Sequence, residues 1–191
     1  MELDNILVVA SKSRYELELE KHQGDEARVR KEFRSDERFF DVYYGHCNQK
    51  ENLRLLKEVL NPDNFIDREM LSDELLAKYE MVVSLGGDEH FKYVSHVAEK
   101  PIISVVLDPS KSVGALLNYD VEGFTKFLND IKNDRYEIEE WCRLEAKVRN
   151  TDEEFVPFIA TSDYFIGEEA RRDMSRSEVY IDGRKIGMPE K

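Results

Sequence analysis

The chain has 191 residues, 41% hydrophobic and 36% charged, with a formal net charge of −13. That balance excludes wholesale disorder, and the length suits one larger domain or one domain plus part of another. The negative charge argues against nucleic-acid backbones and anionic membranes as main partners, so a bound polyphosphate must be held locally, by backbone amides, a metal ion or a few basic residues.

Cys47 and Cys142 are too few and too far apart for a disulfide framework or a zinc site, and His46 has no second ligand pair near it. No apolar run reaches transmembrane length. The opening Met1-Glu2-Leu3-Asp4 is acidic, unlike a signal or transit peptide, so a cytoplasmic location is the expectation.

In chain order, Ile6 to Ala10 reads as a first buried strand. Ser13 and Glu16 are spaced as a capping box for a helix that carries Tyr15 and Leu19 on one face, breaks near Gly24 and resumes toward Phe33. Phe39 to Tyr44 is aromatic and β-prone, and Asn48 with Glu51 then caps a helix bearing Leu53, Leu56 and Leu60, ended by Pro62. Phe65-Ile66 suggests a short strand, and Ser72 opens another helix, with Asp73 and Glu74 suited to its positive end.

The centre of the chain is Met81 to Val106. An apolar pentad, Met81 to Leu85, stops at Gly86-Gly87-Asp88, a helical stretch from Glu89 to Glu99 follows, and a second pentad runs from Ile102 to Val106. Strand, glycine turn, helix and strand place the turn outside the carboxyl edge of a parallel sheet, where ligands of open α/β sheets bind. Glycines there let backbone N–H groups approach an anion, and the helix start adds partial positive charge. The plainer alternative makes Asp88 only the N-cap of the next helix. The polar loop Asp108 to Gly114 follows a parallel strand too and belongs at the same edge.

Val121, Phe124, Leu128 and Ile131 trace one more helical stripe, and the pattern changes near residues 133–136. Leu144, Ala146 and Val148 alternate with charged residues as in a half-buried strand, and Val179 and Ile181 lead into the hairpin signal Asp182-Gly183. The expected architecture is α/β: a parallel-sheet, Rossmann- or flavodoxin-like nucleotide domain over 1–133, followed over 134–191 by part of an antiparallel β-rich domain. The open hairpin edges lead us to expect a homo-oligomer.

Several of these segments resemble the NAD kinase family. Leu85-Gly86-Gly87-Asp88 is similar to the start of its Gly-Gly-Asp-Gly signature, and Asp108, Pro109, Ser112 and Gly114 resemble the loop of its mitochondrial-type branch, as does Ser13-Arg14-Tyr15-Glu16. Ala160 to Glu168 is similar to the family's Ala-Leu-Asn-Glu-Val-Phe-Ile segment. The resemblance implies ATP-dependent phosphorylation of the 2′-hydroxyl on the adenosine ribose of NAD, giving NADP, with Mg²⁺ neutralising phosphate charge. In it Asp88 accepts or orients the hydroxyl proton. Gly86, Gly87, Glu89, Asp108, Ser112 and Gly114 line the nucleotide, Ser162 and Asp163 hold the dinucleotide, and no resident metal site is implied.

Glu89 and His90 depart from the family, which has Gly and usually Thr there. A positive φ at Glu89 would cost roughly 1–2 kcal/mol, and its carboxylate would repel a phosphate unless a cation intervened. The family also continues with more β-rich sequence than follows Asp182-Gly183, so the resemblance implies a shortened member or a piece of a longer protein. The alternatives are a non-catalytic nucleotide-binding relative, a lipid or sugar kinase sharing Gly-Gly-Asp, and a plain α/β interaction module.

Overall fold

The apolar runs separated by helices assemble into one parallel sheet, because each crossover helix must return the chain to the same edge. In the computed structural model, which describes residues 1–111, 114–149, 154–155, 159–164 and 178–186, its strands are β1 (Ile6–Ala10), β2 (Phe65–Asp67), β3 (Met81–Leu85), β4 (Ile102–Val106) and β5 (Tyr119–Asp120). Their order is β2-β1-β3-β4-β5, all parallel, with Val8 opposite Val83 and Val83 opposite Ile103. The order reverses between β1 and β3, the flavodoxin-like arrangement whose switch point lies at the carboxyl ends of those two strands. The α/β fold expected from the sequence is the observed one.

Helices cover both faces. The long α3 (Asp36–Val59) and α6 (Val121–Lys132) bury Leu56, Phe124, Leu128 and Ile131 against Val8, Val83 and Val105. On the other face α4 (Asp73–Leu76) and α5 (Asp88–Val97) bring Leu76 and Val94 onto Leu7, Val9 and Val82. All five residues of β1 and of β3 are buried, as a two-sided parallel core requires.

Two sequence expectations change. The aromatic strand at 39–44 and the separate helix capped by Asn48 are one helix, α3, 24 residues long, with Asn48 inside it. Ser35 caps it instead, its Oγ accepting Arg38 N–H at 3.3 Å, with Asp36 and Glu37 in the first turn. The aromatics are spaced by four as well as being β-prone. That period stacks Phe39 on Tyr43 (6.1 Å between rings) and sets Tyr43 edge-on to Tyr15 (5.2 Å), so packing overrides strand propensity.

The other early expectations stand. Ser13 and Glu16 make the capping box of α1 (Arg14–Lys21), which a left-handed Gly24 (φ 85) separates from α2 (Glu26–Glu32). At about 1.5 Å per residue α3 is about 36 Å long, roughly twice the height of a five-residue strand, so it reaches well past the sheet. It meets α1 around its middle, where Tyr43 and His46 touch Tyr15 and Lys50 pairs with Glu16.

Beyond α6 the described ladders are antiparallel, as expected, but short. β6 (Val148–Arg149) pairs with β7 (Glu154–Phe155), and β8 (Val179–Ile181) pairs with β9 (Arg184–Ile186) through Asp182-Gly183 at positive φ. Leu144 makes only an isolated bridge to Ala160. Leu144 and Val148 are each 49% exposed, since among the described residues no second layer covers their face, and the half-buried strand expected there does not form. No helix among the described residues is long and apolar enough to cross a membrane.

Phe124 is the largest completely buried side chain among the described residues. Phe124→Ala is therefore expected to lower unfolding free energy by about 3–5 kcal/mol. Urea unfolding followed by circular dichroism checks this, and a loss below about 1 kcal/mol would contradict the packing described.

Candidate functional site

Both loops singled out in the sequence leave the carboxyl edge of the sheet, and one side chain ties them together. Gly87 is the N-cap of α5, so Asp88 is its first helical residue and not the cap. The carboxylate reaches across to the loop after β4. Its Oδ2 accepts Ala115 N–H at 2.9 Å and its Oδ1 accepts Leu116 N–H at 3.0 Å. Gly87 has no side chain to offer, so the first amides of α5 lack a side-chain cap. Free amides at a helix start beside two glycines are a ready seat for an anion.

Gly86 serves packing. A Cβ there would sit 2.6 Å from Ser11 Oγ and 2.9 Å from His90 Cδ2, while its N–H donates to Val105 O at 2.9 Å. Its φ is not positive, so space and not backbone conformation demands glycine. His90 is buried (4% exposed) and donates from Nε2 to Val9 O at 2.9 Å. Burial pushes its pKa below the usual 6.5.

Glu89 is not the obstruction expected. It lies within α5 with negative φ, and its side chain is 88% exposed and paired with Lys92 at 2.8 Å. Neither backbone strain nor a carboxylate aimed at the glycines results. Lys92 also meets Asp163 at 3.6 Å, and Asp163 accepts a hydrogen bond from Ser162. The Ser162 hydroxyl and then Lys92 hold the Asp163 carboxyl below its usual range. The structure thus gathers Gly86, Gly87, Asp88, Glu89 and Asp163 around the first two turns of α5.

The loop after β4 supplies the wall. Asn52 Nδ2 donates to Leu107 O at 2.6 Å, Lys111 pairs with Asp41, and Ser104 N–H and Asn118 Oδ1 close its far end at 3.2 Å. Asp108 turns into the fold, 4% exposed, with Oδ1 taking the Ser110 N–H and hydroxyl. Its Oδ2 lies 3.3 Å from where a Cβ on Gly45 would sit, so Gly45 lets the loop rest on α3. Gly114 has φ 51, a left-handed turn suited to glycine. Ser112 and residues 165–168 of the dinucleotide-like segment lie outside the described residues.

Sequence reading missed three contributors. Lys12 stands two residues past the end of β1, near the switch point, and pairs with Glu20 at 2.8 Å. Arg68 follows β2, its guanidinium 5.1 Å from the Tyr93 ring centre. Lys92 is the third. The available signal was position, a basic residue just past a strand or one turn beyond Asp88. Donors for a cation are all oxygens, which suits Mg²⁺, but among the described residues no three acidic, His or Cys side chains converge on one point. Asp88, whose oxygens each already accept one N–H, and Asp163 are carboxylates at this edge that could take a Mg²⁺ brought by a phosphate chain.

No model of a known protein family matches the chain, and no curated protein matches it.

Two outcomes follow. Gly86→Ala is expected to cost about 1–3 kcal/mol by overpacking Ser11 and His90, measurable by urea unfolding. Because burial lowers the folded pKa of His90, the unfolded chain binds the proton more readily, so stability is full above pH 6.5 and declines as pH falls toward the folded value. His90→Gln should flatten part of that decline between pH 7 and 5, and an unchanged slope would contradict a neutral buried His90.

Proposed function

We propose that the chain is an NAD kinase-like phosphotransferase, which moves the terminal phosphoryl group of ATP to the 2′-hydroxyl on the adenosine ribose of NAD. The observation that carries this reading is the Asp88 bridge. It brings a carboxylate, uncapped helix amides and the loop after β4 together at the carboxyl edge, in the order in which the resembling motifs occur.

Phosphoryl transfer asks for positioning and charge neutralisation more than covalent help. The α5 amides and Lys92 would hold phosphate oxygens, while Asp163 would bind ribose hydroxyls. Each Asp88 oxygen accepts one N–H and keeps lone pairs, so Asp88 would take the hydroxyl proton within hydrogen-bond reach. Mg²⁺, bound with the nucleotide, would supply the positive charge that this acidic chain does not.

A second reading has its own support. Both Asp88 oxygens are already engaged by loop amides, which also suits a relative that binds nucleotide without turnover.

Asp88→Asn is expected to lower NADP formation by a factor of about 10²–10⁴. Its nucleotide affinity should fall by less than its turnover, since the asparagine oxygen keeps one of the two loop hydrogen bonds and the α5 amides still meet the phosphates. Glu89→Gly, which removes an exposed pair to Lys92 and a helix former in the first turn of α5, should change turnover less than about fivefold. The assay is NADP formation by the purified chain with ATP, Mg²⁺ and NAD. Nucleotide binding without NADP would favour the second reading, and unchanged turnover in Asp88→Asn would remove Asp88 from the mechanism.

A further inference from the structure

A cavity of about 670 Å³ opens at the other end of the sheet, where Met81 begins β3 and Pro101 precedes β4. β5 pairs only with Val105 and Val106, so Ile102 and Ile103 in the amino half of β4 are left to form its floor. Residues 136–141, which follow α6, form its outer wall. The volume falls in the range of small-molecule sites, roughly 300–1,000 Å³.

Two aromatic pairs line it. On the α5 side Phe91 and Trp141 meet edge-on, 5.9 Å apart at 73°. On the α6 side Tyr119 and Phe127 stack, 4.9 Å apart at 18°. Charge around the cavity is unequal. Glu99, Glu137, Glu139 and Glu140 face only Lys100 and Arg143, and Arg143 already donates from Nη1 to Ser95 O at 2.8 Å. Anions are repelled there. Aromatic ring faces attract a desolvated cation, and nearby carboxylates add to that attraction.

We propose that this cavity binds a small organic cation, a quaternary ammonium or a pyridinium-type ring, between the two aromatic pairs, with the glutamates balancing its charge. The cavity shares α5 with the Gly86-Gly87-Asp88 turn, with Phe91 and Thr161 in its lining, but the proposal does not depend on the phosphotransferase reading.

Trp141 is the single tryptophan of the chain and so reports on this cavity. The whole chain is titrated with benzyltrimethylammonium and, separately, with benzenesulfonate, by tryptophan fluorescence and by calorimetry. The cation should bind saturably with a dissociation constant below about 1 mM, a binding free energy near −4 kcal/mol. Benzenesulfonate should bind at least about tenfold more weakly, a difference of about 1.4 kcal/mol. Glu99→Gln combined with Glu139→Gln exchanges surface groups, with folding checked by circular dichroism, and should weaken the cation about fivefold or more. Phe127→Leu should weaken it as well. The proposal is overturned if neither method detects saturable binding of the cation, if the sulfonate binds as well, or if both variants bind it like the parent chain.

Discussion

The arrangement of the carboxyl edge depends on one carboxylate. Asp88 stands at the first position of α5 and receives two amides from the loop after β4, one on each oxygen. Hydrogen bonds to a charged acceptor are the stronger kind, about 1.5–3 kcal/mol each in net terms. Besides them that loop is held by Asn52 at Leu107, by the Lys111–Asp41 pair, by Asn118 and by the Ser104 hydroxyl, which donates to Leu116 O at 2.9 Å. The bridge therefore sets the distance between the uncapped start of α5 and the wall facing it. A ligand entering at the switch point meets a preformed frame.

Electrostatics explains why the frame is built mainly from backbone. A chain with a net charge of −13 repels polyphosphates at long range. On the proposed reading, attraction would be short-range, from amides at a helix start and from Lys12 and Lys92, which are partly neutralised by Glu20 and by Glu89 and Asp163. Such a site favours an anion that brings its own cation, as nucleotides do with Mg²⁺.

The parallel sheet was legible because Ile6–Ala10, Met81–Leu85 and Ile102–Val106 are apolar pentads of strand length, each followed by a turn signal. The glycine turn was legible for the same reason. Its details were not. Gly86 is glycine because Ser11 and His90 crowd it, a contact between residues far apart in sequence. The capping alternative for Asp88 stayed open because local sequence shows only local partners, and Ala115 and Leu116 lie 27 and 28 residues away. The aromatic run of α3 misled because four spaced rings fit a strand by composition and a helix by period, and Tyr15 decides between them. The alternation around Leu144 was real, but alternation forms a buried strand only where a second layer receives it.

The central claim is that nucleotide binds at the carboxyl edge that Asp88 holds together. Its most direct test is amide chemical-shift mapping of the isotopically labelled chain, titrated first with Mg²⁺ and ATP and then with NAD. The account predicts that the largest shifts fall on the amides of residues 86–90 and on Ala115 and Leu116, with smaller ones near Asp163. Shifts confined to the opposite end of the sheet, around Met81 and Ile102, or no shifts at millimolar nucleotide, would contradict it.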